Sequence, residues 1–334
     1  MKDRITNPNI AVLGDGGWGT TLAVLLINKG FRVTLWGAFA DYVCYLNNKR
    51  VNSKFLAGVK LPVKLSITHD LKEALGNKDL IIFAIPSQYM RGVLRKIKRT
   101  GYSRRAIYLS VTKGIETTTL KRMSEVIYEE LGRVRLAVLS GPTIAHEVAR
   151  GVPTTAVVAA RDKKLRSQLQ SIFMTPRFRI YTNSDIIGVE LGGSFKNVIA
   201  IACGISDGLG FGTNTKAAIL SRGLAEISRL GQAMGAKAQT FGGITGLGDL
   251  VTTCFSSYSR NRFVGEEVGK GKALKNISAK GIAEGVPTAE SAYALSLKYK
   301  VDAPITKEVY NVLYKNKSPL QAVKDLMTRQ KKEE

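Results

Sequence analysis

Short, continuous apolar runs punctuate the first half of the chain, each closed by small or turn-forming residues and many followed by a stretch with helical spacing. They predict strands over 9–13, 31–36, 79–85, 106–111, 136–139, 154–160 and 178–181, with a charged helix over 162–173. Runs apolar on both faces are those of a parallel sheet, because its crossover helices cover both sides. After about Asn183 the strand-like runs nearly vanish, and long apolar patterns of helical period with many glycines follow, as over 217–231. The pattern predicts an α/β fold, a doubly wound sheet followed by an all-α C-terminal domain, with domains over 1–187 and 188–334.

The first run leads into Gly14-Asp15-Gly16-Gly17-Trp18-Gly19, a G-x-G-x-x-G pattern set between a strand and a helix that Gly30 should end. Gly14 allows the tight turn, Gly16 lets backbone approach a pyrophosphate, and Gly19 lets the helix pack on the sheet. The pyrophosphate would rest on the helix N-terminus, where free N–H groups and the dipole favour an anion. The N-terminal domain therefore reads as a Rossmann-type dinucleotide-binding domain. NAD-preferring sites carry an acid about 20 residues further on, at the end of the second strand. Here Thr34-Leu35-Trp36-Gly37-Ala38 holds neither acid nor arginine, and Lys49 and Arg50 are cations that could reach in from a later loop. NAD or NADP is expected, with the preference open. Ligands of such sheets bind beyond the carboxyl ends of the strands. Pro86, Lys113 and the turn Ser140-Gly141-Pro142-Thr143 stand at such ends.

The run over 188–212 is apolar and small, yet Lys196 and Asn197 stand side by side within it. A buried ammonium must find a partner, lie in a wet cleft or give up its proton. On a helix Lys196 shares a face with Ala200, Gly204 and Asp207, flat enough for a ligand to lie on. A structural lysine paired with Glu190 or Asp207 is the competing reading. Further on, Asp249 and Thr253 lie in a glycine-dense stretch, and Ser259-Arg260-Asn261-Arg262 reads as a helix start with Ser259 as N-cap. N–H groups, dipole and guanidinium together make such a start a phosphate site. Taken singly, these two stretches read as a turn or cap acid and a solvated helix start. A helical domain after a cofactor domain leaves a cleft for a substrate.

Charge sharpens the choice of ligand. Lysine and arginine outnumber the acids 50 to 26, a net charge of +24 that favours anions. The basic residues are scattered, with no nucleic-acid-binding motif, so nucleic acid is not an expected partner, whereas loose attraction to an anionic membrane surface is. No apolar run approaches the roughly 20 residues of a membrane span, and the first residues lack a signal-peptide pattern. Cys44, Cys203 and Cys254 are widely spaced, as free thiols in a reducing cytosol would be, which points to a cytoplasmic chain. Two histidines and no C-x-x-C spacing leave no metal-site pattern. The last residues, 329–334, read as frayed.

Seven motifs then follow one another in order: Gly14-x-Gly-x-x-Gly19, Thr112-Lys-Gly114, Ser140-Gly-Pro-Thr143, Gly188-Val-Glu-Leu-Gly, Lys196-Asn-Val-Ile-Ala, Gly246-Leu-Gly-Asp-Leu250 and Ser259-Arg-Asn-Arg262. Together, over about residues 9–325, they resemble the bacterial-type NAD(P)-dependent glycerol-3-phosphate dehydrogenases. The resemblance implies reversible reduction of dihydroxyacetone phosphate to sn-glycerol 3-phosphate, feeding phospholipid synthesis, by a homodimer. By that similarity Lys196 is the catalytic acid/base. Lys113, Gly141, Thr143, Lys196, Asn197, Asp249, Thr253, Ser259, Arg260 and Asn261 then meet the substrate. Gly14, Gly16, Gly17, Trp18, Gly19, Lys113, Ala145, Arg260 and Glu284 meet the cofactor. Asp249 either orients the ammonium or holds a substrate hydroxyl.

Two departures stand out. The family often carries Ala at the position of Asp15, and an acid near a pyrophosphate should cost affinity unless it turns outward. It also often has His or Arg near Ala38. Other readings are a different two-domain reductase, such as a 6-phosphogluconate or hydroxyacid dehydrogenase relative, or an idle dinucleotide sensor. Lys113, Lys196, Asp249 and Arg260 speak against an idle site.

Overall fold

The computed structural model describes residues 7–277, 282–331 and 333. The first six residues, together with Lys280, Lys332 and Glu334, on which the readings of the chain's start, its basic stretches and its frayed end draw, lie outside the described residues.

The strands are β1 (Asn9–Leu13), β2 (Arg32–Trp36), β3 (Val51–Asn52), β4 (Leu56–Lys60), β5 (Ser66–Thr68), β6 (Leu80–Phe83), β7 (Ile107–Ser110), β8 (Arg135–Ser140), β9 (Thr154–Ala159) and β10 (Phe178–Asn183). Eight of them form one sheet in the order β10-β9-β8-β7-β6-β1-β2-β5. From β5 through β8 the strands are parallel, while β9 joins β8 antiparallel and carries β10 parallel to itself. The order reverses between β1 and β6, which is where a doubly wound sheet opens a crevice for a ligand. Alternate residues feed two cores. Ile10, Val12, Leu80 and Ile82 face one layer, and Ala11, Leu13, Ile81 and Phe83 the other.

The seven strands expected from apolar runs are all present. Missing from that reading were β5 and the antiparallel hairpin of β3 and β4. These are short or largely exposed, so they carry no apolar signal.

Contacts divide the chain into two units. One comprises Met1–Lys113 and Lys121–Glu190, the other Gly114–Leu120 and Leu191–Glu334. Among the described residues the second unit is helical apart from its loops. Helix Ile186–Gly208, most of which lies in this unit, corrects the expectation that no segment is long enough to span a membrane: it has 23 residues, and its most apolar 18-residue window has a mean hydropathy of 1.5. Glu190, Lys196 and Asp207 interrupt the apolar run in the sequence without interrupting the helix. Of its most apolar window, 94% is buried inside the protein, as in a core helix.

That helix meets helix Arg260–Gly269 backbone to backbone. A Cβ on Gly204 would lie 2.0 Å from the Arg262 carbonyl oxygen, and one on Gly208 2.2 Å from that of Glu266. Reciprocally, Gly265 approaches the Ile201 carbonyl oxygen (2.1 Å) and Gly269 that of Ile205 (2.4 Å). The face of Ala200 and Gly204, expected to be a bed for a ligand, is therefore filled by a neighbouring helix. Its small residues serve close packing, and Asp207 is engaged by Arg262 Nε (2.7 Å) and Lys216 Nζ (2.6 Å).

A second internal tie comes from Glu226 of helix Thr213–Ala233. Its carboxyl accepts from the backbone N–H groups of Ile305 (2.7 Å) and Thr306 (3.1 Å), capping helix Pro304–Tyr314 from outside. Burial pushes this carboxyl up to about 7 from 4.5, against the lowering effect of the N–H donors. Between those two values the folded state holds a proton that the unfolded state has released, so stability falls as pH rises through the window. Relative to Glu226→Gln, the wild type should gain up to about 3 kcal/mol when pH drops from 7.5 to 4.5. Urea unfolding of both proteins across that range checks it, and parallel pH profiles would refute the assignment.

Candidate active site

In the first unit the glycine loop leaves β1 at the rim where the parallel strands end. Gly14 has φ +118°, a conformation that favours glycine, and its N–H donates to Trp36 O at 2.9 Å. A Cβ on Gly19 would meet Gly14 O at 2.0 Å, so helix Gly17–Asn28 sits directly on the turn. Gly16, by contrast, faces open space. It is the N-cap of that helix, and no side chain of the described residues caps the first turn. Open approach at Gly16 and first-turn N–H groups without a side-chain cap are what a pyrophosphate needs, so these residues fit a dinucleotide.

The rest of the expected cofactor set is placed unevenly. A Cβ on Gly17 would lie 3.6 Å from Ala145 Cβ and 2.7 Å from Phe55 O, and Thr21 Oγ1 donates to Ala145 O (3.1 Å). Gly17 and Ala145 are thus neighbours at the helix start. The Trp18 ring instead packs edge-on against Phe178, centroids 6.4 Å apart, and belongs to the apolar core. Lys113, after β7, donates from Nζ to Gly141 O (2.7 Å) and Thr143 Oγ1 (3.3 Å) after β8. These three expected substrate residues come together, with Gly141 at φ +138°.

Asn52 of β3 was not foreseen. Fully buried, it donates to Asp15 O (2.8 Å) and Thr20 Oγ1 (2.8 Å), and it accepts from Tyr42 OH (2.7 Å) and Phe55 N (3.1 Å). It braces the glycine loop from a hairpin that leaves no apolar signature. An asparagine amid exposed residues gives no sign of this in the sequence.

In the second unit Lys196 is buried and has found its partner. Its Nζ lies 2.5 Å from Asp249 Oδ1 and donates to Thr253 Oγ1 as well. Asp249 and Thr253 stand one turn apart on helix Asp249–Phe255, where Thr253 Oγ1 also donates to Asp249 O (2.7 Å). The competing pairings are excluded. Glu190 accepts from Arg122 Nη1 (2.6 Å) and from Ser124 N (2.8 Å), and Asp207 holds Arg262.

Asn197 Oδ1 accepts from Asn261 Nδ2 (2.9 Å), while Asn261 Oδ1 accepts from Gly285 N (2.9 Å). The two amides tie three helices together around the lysine. Ser259 is the N-cap expected of it, its hydroxyl accepting from Arg262 N (3.2 Å). Arg260 stands exposed at the first position of that helix, within electrostatic reach of Glu284, which precedes helix Gly285–Lys298. A buried, carboxylate-held ammonium can donate a proton to a developing alkoxide, and a helix start carrying a guanidinium can hold a phosphate.

The model for the N-terminus of NAD-dependent glycerol-3-phosphate dehydrogenase matches residues 9–166, and that for its C-terminus matches 185–324. The chain belongs to the NAD-dependent glycerol-3-phosphate dehydrogenase family. The glycerol-3-phosphate dehydrogenase (NAD(P)+) of Thermoanaerobacter sp. (strain X514) is 49% identical over 329 residues, covering 97% of this chain and 98% of that protein. That of Geobacter sulfurreducens is 48% identical over 334 residues, with 97% and 98% covered. The crystal structure of the Coxiella burnetii glycerol-3-phosphate dehydrogenase superposes with a TM-score of 0.93 at 38% identity, covering 97% of this chain and 99% of that one. The Saccharomyces cerevisiae enzyme gives 0.81 at 28% identity, covering 97% and 100%. Family membership thus extends over both units of the chain, as the ordered motifs implied.

Removing the partner of the buried lysine should be costly whatever its chemical role. Asp249→Ala leaves an ammonium without its carboxylate and should lower stability by about 3–5 kcal/mol. Urea unfolding at neutral pH measures this, and a loss below about 1 kcal/mol, the worth of an exposed pair, would show the pair to be solvated.

Proposed function

We infer that the chain reduces dihydroxyacetone phosphate to sn-glycerol 3-phosphate, reversibly, with NADH or NADPH, and so supplies glycerophospholipid synthesis. The observation that carries this is the buried Lys196, held by Asp249 and Thr253 in a chain that matches the family over both of its parts. The bound dinucleotide supplies the hydride.

The protein's own residues do the rest. Lys196 is proposed as the acid: its ammonium polarises the ketone oxygen and gives up a proton as negative charge builds there. The 2.5 Å contact supports Asp249 as the group that orients this ammonium. Arg260 and the helix start behind Ser259 are proposed to hold the substrate phosphate, with Lys113, Gly141, Thr143, Asn197, Thr253 and Asn261 completing the substrate set. Anchoring a phosphate remote from the carbonyl fixes the reacting carbon, so it contributes to rate as well as affinity.

Gly14, Gly16, Gly17, Trp18, Gly19, Lys113, Ala145, Arg260 and Glu284 are proposed for the cofactor, Trp18 through its backbone since its ring is turned into the core. Residues 1–187 then form the cofactor domain and 188–334 the substrate domain. A cytoplasmic homodimer is proposed from family membership, and the +24 charge supports loose attraction to an anionic membrane surface.

Lys196→Ala should lower kcat roughly a thousandfold while NADH binding changes little. Following nicotinamide absorbance with dihydroxyacetone phosphate measures it, and wild-type turnover would remove Lys196 from the chemistry. Arg260→Ala should raise KM for the phosphorylated ketone by on the order of tenfold or more. If the parent enzyme reduced non-phosphorylated dihydroxyacetone equally well, the phosphate anchor would be wrong, and a panel of other ketones would be tested next.

A further inference from the structure

No acid stands in the segment that leaves β2, Trp36-Gly37-Ala38, yet a carboxyl group is found there. It comes from the glycine loop. A Cβ built on Gly37 would lie 2.5 Å from Asp15 Oδ2 and 2.8 Å from Val43 Cγ2, so the glycine at 37 is what makes room for the Asp15 side chain. The backbone of Asp15 is held at the same time, its carbonyl oxygen accepting from Asn52 Nδ2 (2.8 Å) and Thr20 Oγ1 (3.2 Å). Asp15 Oδ2 is buried and has no hydrogen-bond partner among the described residues. Burial pushes this carboxyl above the usual range, against the attraction of Lys54, whose Nζ lies over the Tyr42 ring at 5.9 Å.

A buried carboxyl oxygen without a donor is costly, and the cost is relieved when a ligand brings the donor. In doubly wound sheets the adenosine ribose lies at the end of the second strand, where a carboxylate accepts from its 2′-hydroxyl. Of the cations that could welcome a 2′-phosphate instead, Arg50 has one guanidinium nitrogen committed to backbone elsewhere: Nη2 donates to Val63 O (2.5 Å) and Leu65 O (3.1 Å).

The geometry points to Asp15 as the residue that reads the adenosine ribose: it accepts from the 2′-hydroxyl of NADH and repels the 2′-phosphate of NADPH, so the enzyme selects NADH. This rests on the dinucleotide-dependent activity inferred above and adds to it a choice between the two cofactors. The departure at Asp15 and the missing acid after β2 become one feature. The acid has moved from the end of the second strand to the loop beside it.

Calorimetric titration with NADH and NADPH, and with ADP-ribose and its 2′-phosphate to isolate the adenosine end, tests this without turnover. The wild type should bind the 2′-hydroxyl ligands about tenfold more tightly, or better. Asp15→Asn keeps the size and removes the charge, and Asp15→Ala removes both. Each should bring the ratio towards one, largely by tightening the 2′-phosphate ligands. A wild type that prefers NADPH would overturn the assignment. So would a ratio that moves less than about threefold in both variants, since a unit charge near the phosphate must show in the affinity. Failure of the wild type to bind either dinucleotide would overturn the cofactor reading itself, an outcome separate from equal binding of both.

Discussion

A lysine ammonium in a dry interior is tolerated only if a carboxylate and further hydrogen bonds replace the water it gives up. The contact of Lys196 with Asp249 and Thr253 meets that condition, and the helical unit is arranged to keep it. Lys196 rides on a helix whose glycines let helix Arg260–Gly269 approach until backbone touches backbone. The adjacent Asn197 reaches across to Asn261, which in turn caps Gly285. An added methyl group at Gly204 would separate helices that carry the lysine and the arginine alike. The packing thus sets the positions of both the proton donor and the proposed phosphate anchor.

The sheet-bearing unit solves a different problem, that of leaving polar backbone open. Each glycine of the loop does a separate job: Gly14 turns, Gly19 lets the helix sit on the turn, and Gly16 alone faces free space. A loop this open needs bracing from outside, and Asn52 provides it from a hairpin remote in sequence. Asn52 and Thr20 hold the carbonyl of Asp15, and the glycine at 37 leaves room for its carboxyl beside the end of β2. That explains how one loop can present N–H groups to an anion and an acid to the neighbouring strand end without the two interfering.

Comparison of these two units shows which features can be read along a chain. Apolar runs and the G-x-G-x-x-G spacing depend on neighbours in sequence, and so the central strands, the glycine turn, the end of the first helix at Gly30 and the Ser259 cap were all legible. β5 and the β3–β4 hairpin were not, because short exposed strands leave no hydrophobic period. Lys196 announced itself as an ammonium in an apolar run, but Glu190 and Asp207 were nearer in sequence than Asp249, 53 residues away. A partner so distant is chosen by how helices pack. The glycine-rich face beside Lys196 looked like a ligand bed for the same reason: small residues in sequence do not say whether a ligand or another backbone fills the space above them.

By itself, then, the sequence determined the fold class, the dinucleotide loop and, through the order of its motifs, the family, since these rest on local periodicity and spacing. Tertiary structure alone decided that Asp249 neutralises Lys196, that helix Arg260–Gly269 covers Gly204, and that Asp15 reaches the end of β2. Each of these is a choice among several chemically suitable partners. Only the folded chain makes that choice, because distance through space, steeply felt by charges and by van der Waals contacts, cannot be read from separation along the chain.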